Sequence, residues 1–312
     1  MLKNSKTQIF LVLIVGIMVV GHVGYVLSKT FLSTSHEIVE KTQVLSKGQP
    51  SASVGSAKAF GLKPSRNFQD KYLQVSSVKE LNRVFKNNNY TLAKAKSEGH
   101  VPRVFLSKLP QDMRLKKKSS NSDFIQILLP HILRVNEQIL ADRQRLLSLR
   151  ERQKHGHHLR HSEKMWLSKL AFDYRCKSTK IESLLVHVDI VPPSLALAQG
   201  ILETGGGRSF AALKKNSPFG YMATKTKVAK FESLQRSVEA YVKNLNRHQA
   251  YSAFRKDRAL LRARNQELCG HKLAACLTKY SVRGTAYTHD LQQLIQNRGL
   301  KAYDESHVQL KP

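Results

Sequence analysis

Between Phe124 and Arg150 the apolar side chains Ile125, Leu128, Leu129, Ile132, Leu133, Ile139, Leu140, Leu146 and Leu147 recur at three- and four-residue steps. That period follows the 3.6-residue turn of an α-helix, so the spacing predicts one long helix with a single apolar stripe, kinked near its start by Pro130. The composition, 41% hydrophobic and 7% aromatic in 312 residues, is that of a chain able to bury a core.

Shorter helices are expected on both sides. A short amphipathic one fits Ser77 to Asn89, whereas Pro102 and Pro110 oppose helix and make Val101 to Met113 extended or turn-like. Ser162 is placed to cap a helix carrying Trp166, Leu167, Leu170 and Ala171, and Ser178 to cap another running through Val188. Pro192 and Pro193 sit where a helix begins, because a proline at the first helical position costs no internal hydrogen bond. After Glu203, Arg208 to Lys215 reads as a short helix, and the next residues alternate around Thr224 to Thr226 as a small hairpin. Helices are then expected from Ser233, near Ala250 to Arg264, over Glu267 to Lys279 and over Thr285 to Asn297.

The N-terminus carries a different signal. Ile9 to Leu27 is apolar apart from glycines and His22, follows Lys3 and Lys6, and at ~1.5 Å per residue covers roughly the ~30 Å of bilayer hydrocarbon. No clear small-x-small cleavage site precedes Lys29, so an uncleaved signal anchor is preferred to a cleaved signal peptide. The flanking charges place residues 1–8 in the cytoplasm and everything after Lys29 outside it. Residues 28–76 include the Ser-, Gly-, Ala- and Lys-rich Thr42 to Lys63, which suits a tether; a second tether is expected through Leu115 to Ser122. Beyond the first tether the expected organisation is a helical accessory region, 77–161, and a second unit, 162–312.

A formal charge of +30 calls for anionic surroundings. Nucleic acid is the usual partner of such a chain, but export behind a membrane anchor argues against it. Lipid headgroups and cell-wall carboxylates are the polyanions available outside the cytoplasm. Three cysteines, Cys176, Cys269 and Cys276, cannot form a dense disulfide framework; on one continuous helix Cys269 and Cys276 stand about 10 Å apart along the axis, too far for a bridge. The run His155-Gly156-His157-His158-Leu159-Arg160-His161 lacks acidic or thiol companions and is read as a solvated turn between helices, not a metal site. No motif demands a cofactor.

The chemistry concentrates in Val191 to Ala211. There one carboxylate, Glu203, ends an apolar helix that runs into Gly205, Gly206 and Gly207, with Arg208 beyond. A lone acid between an apolar helix and a glycine-opened cleft can stay protonated near neutral pH and protonate a leaving group. That pattern is a hydrolase signal.

Glu203 with Thr204-Gly205-Gly206-Gly207-Arg208-Ser209, followed by Asn216-Ser217-Pro218-Phe219-Gly220, resembles the E-S-x-W-G-x-S-R and N-N-L-F-G signatures of bacterial endo-β-N-acetylglucosaminidases. These peptidoglycan-cleaving enzymes have a lysozyme-like fold. Four ordered blocks, Leu128 to Arg143, Val188 to Glu203, Tyr241 to Tyr251 and Tyr280 to Tyr287, resemble the Bax-type branch, and together the similarity spans roughly Val101 to Asp304. It implies a mainly α, lysozyme-like catalytic domain with a small β-hairpin lobe, and hydrolysis of the β-1,4 bond after N-acetylglucosamine in glycan strands, with Glu203 as general acid. Ile201, Leu202, Phe210 and Phe219 are the sequence neighbours expected to raise its pKa. Asn216, Phe219, Gly220 and Tyr221 are the implied substrate-binding set, although Asn216 equally suits a helix C-cap.

The chain departs from the signatures at Thr204, Gly206 and Pro218, in place of serine, tryptophan and leucine, so the cleft floor is expected to lack a large aromatic. No second acid lies in Tyr221 to Phe231, and Val282 stands where the branch has glutamate. Ordinary two-carboxylate chemistry is therefore not assured; the substrate's own acetamido oxygen is expected to assist, with Tyr280 either lining the site or simply packing. Arg208 either holds the loop or pairs with Glu203, and pairing would oppose acid catalysis. A lytic transglycosylase, a catalytically weak wall-binding protein and a nucleic-acid binder are the competing classes.

Overall fold

The computed structural model describes residues 70–115, 121–224 and 226–309. The expected membrane anchor at Ile9 to Leu27 and the tether over 28–69 lie outside the described residues, as does most of the second tether, 116–120. Among the described residues no helix is long and apolar enough to cross a membrane.

In chain order the elements are β1 (Tyr72–Leu73), α1 (Val78–Asn87), α2 (Leu92–Glu98), β2 (His100–Val101), β3 (Phe105–Leu106), α3 (Ser122–Lys154), α4 (His161–Asp173), α5 (Ile181–His187), α6 (Pro193–Thr204), α7 (Phe210–Lys215), α8 (Leu234–Arg247), α9 (Ser252–Ala263), α10 (Gly270–Ala274), α11 (Thr285–Asn297) and β4 (His307–Val308). The protein is mainly helical, as its periodicity implies. The strands are two-residue pairs, β1 with β3 and β2 with β4, both parallel.

The long helix is real and passes through Pro130 without ending. Its burial differs from a single stripe, because Phe124 to Asn136 is buried nearly all round while the later turns bury only Ile139, Leu146 and Leu149. Leu140, placed on the stripe by its spacing, is instead exposed. The first half is enclosed because α6, α8 and β4 pack around it, and α5 also packs on this helix. His131, fully buried in that half, accepts from the Leu106 amide through Nε2 and meets Gln235 Oε1 through Nδ1 at 2.8 Å, so one imidazole ties β3, α3 and α8 together. Burial pushes its pKa down to about 4, and it stays neutral there.

The accessory stretch and the following unit share one hydrophobic cluster that runs from Val78 to Val308. The β2–β4 pair joins the two ends of the described chain, and Ser306 Oγ bonds the Ala95 carbonyl. Packing therefore has no break at residues 161 and 162.

Most caps fall where the side chains allow them. Ser77, Ser209 and Ser233 accept from amides three residues on, which satisfies first-turn donors of α1, α7 and α8. At α4 the expected cap, Ser162, is inside the helix; Glu163 reaches back instead and accepts from the Arg160 amide at 2.8 Å. Likewise α5 starts at Ile181, and Ser178 bonds the Lys180 amide before it. Pro193 is the first residue of α6, where its missing N–H leaves nothing unpaired. The Ser194 N–H and hydroxyl and the Gly270 N–H all donate to Asp304, which lies 110 residues from the first and 34 from the second.

Two expectations change. The predicted helix over Glu267 to Lys279 shortens to α10 and a 3-10 turn at Ala275–Leu277, leaving Cys269 ahead of it, and all three cysteines are free thiols. The hairpin is reduced to one antiparallel bridge, Met222 with Val228, supported by the Ala223–Lys227 and Ala229–Tyr221 backbone bonds. The histidine-rich run is an exposed turn joining α3 to α4.

Candidate active site

Glu203 lies in the last turn of α6, and the chain leaves that helix through three consecutive left-handed glycines, Gly205, Gly206 and Gly207, at φ 63°, 71° and 80°. A side chain would strain the backbone at each of these. Thr204 stabilises the reversal: its hydroxyl donates to the Gly200 carbonyl at 2.7 Å and accepts from the Gly207 amide at 3.0 Å. The hydroxyl of the expected serine would make the same bonds, so this departure preserves the loop.

The departure at Gly206 has a different consequence from the one expected. A Cβ built there would lie 2.1 Å from Asn121 Oδ1, and one at Gly207 would lie 2.5 Å from the Phe124 ring. Asn121 is buried, so the start of α3 and its preceding residue already occupy the space beside the loop. No vacancy is left where an aromatic would have been.

Glu203 keeps partial exposure as a residue, but protein surrounds its carboxyl closely, and burial pushes its pKa up to about 7. The hydroxyl of Tyr287, on α11, donates to Oε1 at 2.9 Å and works in the opposite direction by favouring the ionised form. Tyr241, Tyr251 and Tyr280 are also near enough for their own proton affinities to be raised by the Glu203 charge. No charged side chain enters the balance at Glu203. Arg208 donates to Asn121 Oδ1 at 3.3 Å, which is the loop-holding role.

Two of the four side chains expected to seclude the acid do otherwise, while Ile201 is buried and Leu202 packs on the core. Phe210 is 68% exposed and cannot shield the acid. Phe219 is 2% exposed and lies flat against Tyr241, 3.9 Å between ring centroids, so its face is covered by tyrosine and is not free for a sugar. The tyrosine rings provide the low-polarity surroundings, and they come from α8, α11 and the turns beside them.

Of the remaining expected site residues, Tyr280 is half-buried, stacked on Tyr287 at 5.4 Å and 8° between ring planes, and 5.7 Å from Tyr251. Gly220 adopts φ 61°, and a Cβ there would stand 3.9 Å from Glu203 Oε2. Tyr221 follows it, half-buried, edge-on to Phe231 and hydrogen-bonded to Arg247. Asn216 is buried in the left-handed conformation that ends α7, and its amide donates to the carbonyls of Phe231 and Glu232. That amide is spent on closing the β-lobe, which realises the C-cap reading and leaves it no free donor for a sugar amide. Glu203, Tyr280 and Gly220 thus come together with Tyr221 alongside, while Asn216 and Phe219 serve the wall behind.

Four residues of this cluster are new relative to the motif: Gln199, Tyr241, Tyr251 and Tyr287. Gln199 precedes Glu203 by one helical turn, a spacing that is a signal in hindsight, whereas Tyr287 is on α11 and Tyr280 in the turn before it. Glu232 is exposed and Glu239 pairs with Arg236 at 2.9 Å, so neither later carboxylate joins the site. Two open concavities, of about 490 Å³ beside Leu268 and Asp304 and of about 550 Å³ beside Leu147 and Leu185, lie elsewhere and do not include Glu203.

The family model described as mannosyl-glycoprotein endo-beta-N-acetylglucosaminidase matches residues 182–300, a span that contains Glu203, Gly220, Tyr280 and Tyr287. The chain is 34% identical over 190 residues to protein Bax of Escherichia coli (strain K12), an alignment covering 56% of this chain and 68% of that relative. The chain belongs to the glucosaminidase family. Membership brings the broad activity, that of a glycosidase acting on glycans, and the similarity to protein Bax agrees with the four sequence blocks of the Bax-type branch. No solved structure matches the chain.

Proposed function

We propose that this glucosaminidase is a peptidoglycan hydrolase of lysozyme-like architecture that cleaves the β-1,4 bond after N-acetylglucosamine, with Glu203 as the general acid. The observation that supports it is the Glu203 carboxyl itself, raised to about 7 by burial, free of charged neighbours and engaged by one tyrosine hydroxyl. Such a group holds its proton near neutral pH and can deliver it to a glycosidic oxygen as the bond to the sugar breaks.

The stereochemical partner is the open half of the mechanism. Retaining enzymes place a second carboxylate at ~5 Å and inverting enzymes at ~6.5–9.5 Å. Among the described residues no carboxylate influences Glu203. This favours a role for the substrate's acetamido oxygen in stabilising the oxocarbenium-like transition state, with Gly220, Tyr221 and Tyr280 lining the sugar site. The same observation keeps a lytic transglycosylase as the second reading, because that reaction also needs one acid but returns an anhydro sugar.

In this reading the Ile9 to Leu27 segment anchors the chain in the cytoplasmic membrane, the catalytic part lies outside the cytoplasm, and the +30 charge holds it against anionic wall and lipid. Purified sacculi digested with the protein are expected to release fragments with N-acetylglucosamine at the new reducing end. Anhydro-muropeptides would transfer the assignment to the transglycosylase, and sacculus binding without release would reduce the protein to a wall-binding module.

A further inference from the structure

Behind Glu203 runs a buried chain of hydrogen bonds that acid catalysis by itself does not require. The Tyr241 hydroxyl donates to Gln199 Oε1 at 2.7 Å, Gln199 Nε2 donates to the Tyr287 oxygen at 3.0 Å, and Tyr287 donates to Glu203 Oε1 at 2.9 Å. The three bonds cross between α8, α6 and α11, over sequence separations of 42, 88 and 84 residues. Gln199 is fully buried, and the rings at either end are clamped, Tyr241 against Phe219 and Tyr287 against Tyr280.

The polarity of this chain follows from its far end. A carboxamide can be turned over, and the reversed arrangement would have Gln199 donate to Tyr241 and accept from Tyr287. The Tyr241 hydroxyl proton would then have no acceptor among the described residues, since Gln199 Oε1 is the one it has. Leaving a buried donor unmet is costly, so Tyr241 holds the amide in the arrangement observed. With Nε2 facing Tyr287, the tyrosine oxygen is an acceptor there, and its own proton is directed at Glu203.

We propose that Tyr241 and Gln199 act as positioning residues that commit the Tyr287 proton to Glu203 Oε1, so that the proton Glu203 transfers is carried on Oε2, the oxygen beside Gly220. This rests on the reading of Glu203 as the acid and adds which of its oxygens does the work. A carboxyl proton on Oε1 would point back into the tyrosine cluster, away from any sugar. A side chain at Gly220 would stand 3.9 Å from Oε2, in van der Waals contact, so the glycine keeps that side of the oxygen free of a side chain.

The groups facing Glu203 from each packed element are hydroxyls: Tyr287 on α11, Tyr280 before it, Tyr241 on α8 and Tyr251 after it. Loosening the chain therefore removes the one influence that favours the ionised acid and leaves burial unopposed.

The test uses the full-length protein with carboxyl-labelled glutamate, the Glu203 resonance being assigned by its loss in Glu203→Gln. Gln199→Leu and Tyr241→Phe are both expected to raise the Glu203 titration midpoint, by about one pH unit for the first and less for the second. Tyr287→Phe should give the full rise alone, and adding Gln199→Leu to it should give no more. On sacculi, Gln199→Leu should lower kcat about tenfold with KM held, and carry the basic limb of the pH profile upward. Tyr241→Phe keeps the ring and its stack on Phe219, so it remains informative if Gln199→Leu fails to fold. A Glu203 midpoint unmoved in Tyr241→Phe, or a further rise when Gln199→Leu is added to Tyr287→Phe, overturns the proposal. Variants that show these shifts, while the wild-type protein releases nothing from sacculi, would leave the chain of bonds standing and sink the glycosidase reading instead.

Discussion

Asp189 and Glu203 bracket the same helix, one ahead of α6 and one in its last turn, and each carboxyl is enclosed by protein. Their surroundings differ in kind. Asp189, 1% exposed, is bonded by Arg262 at 3.0 Å, faces Arg143 at 3.4 Å and feels the fully buried Arg258, and this cationic cage holds its pKa below the usual aspartate value despite burial. Glu203 meets hydroxyls and aromatic rings instead, and its pKa rises. Burial alone decides neither case. A charge partner makes a buried acid a structural anion, and the lack of one makes it a proton reservoir.

The largest expected effect separates the two by function. Glu203→Gln should lower sacculus turnover by about 10²–10⁴-fold, the usual span for a lost general acid, while leaving the fold intact by circular dichroism. Full turnover in that variant would remove the acid assignment.

Asp189→Ala is the reciprocal case and should act on stability. It strands Arg258, which also bonds the carbonyls of Asp189, Ile190 and Val186 and the Asn246 side chain, without a counter-charge, at a cost of about 3–5 kcal/mol in urea unfolding. An unfolding midpoint within error of wild type would show that those carbonyls suffice to hold the guanidinium.

The pH dependence should run in opposite directions at the two sites. The folded pKa of Glu203 lies above its unfolded value, so the native state binds the extra proton, and stability falls as pH rises from about 4.5 to about 7, by roughly 3 kcal/mol at most. Activity should fall through the same upper pH as the acid ionises. The folded pKa of Asp189 lies below its unfolded value, so its contribution is present above pH 3.8 and fades as pH falls below it. Glu203→Gln should flatten the first slope and make the protein more stable than wild type near pH 8; an unchanged slope would mean that Glu203 titrates normally.

Tyr280→Phe carries the smallest expected effect. The ring keeps its stack on Tyr287 and its tilted contact with Tyr251, and turnover should drop less than about tenfold. A loss as deep as that of Glu203→Gln would give the Tyr280 hydroxyl a direct part in the chemistry.

Much of this arrangement was legible in the chain. The long helix, the proline-started α6, the helices beginning near Ser77 and Ser233 and the α11 limits all follow from local period, because each is decided within a few residues; the caps expected at Ser162 and Ser178 did not form. Glu203 stood out for the same reason, a lone acid between an apolar run and three glycines. What went astray was decided by contacts from far along the chain. Phe219 looked like a cleft residue until Tyr241 covered it, Asn216 like a sugar contact until it closed the β-lobe, and Leu140 like core until it came to line an open concavity beside α5. The short α2 was missed because its seven residues bury only Ala95, too little to show a period.

The sequence by itself determined most of the helical elements, the glycine reversal after α6 and the place of a lone carboxyl at the end of that helix, since dihedral preferences and hydrophobic period act locally. Which acid became cationic-paired and which became protonatable was a tertiary matter. Tyr241 and Tyr287 stand 42 residues from Gln199 and 84 from Glu203, and only the packing of α8 and α11 on α6 brings their hydroxyls within bonding distance. A pKa is set by whatever lies within a few ångströms, and those neighbours are fixed by the fold.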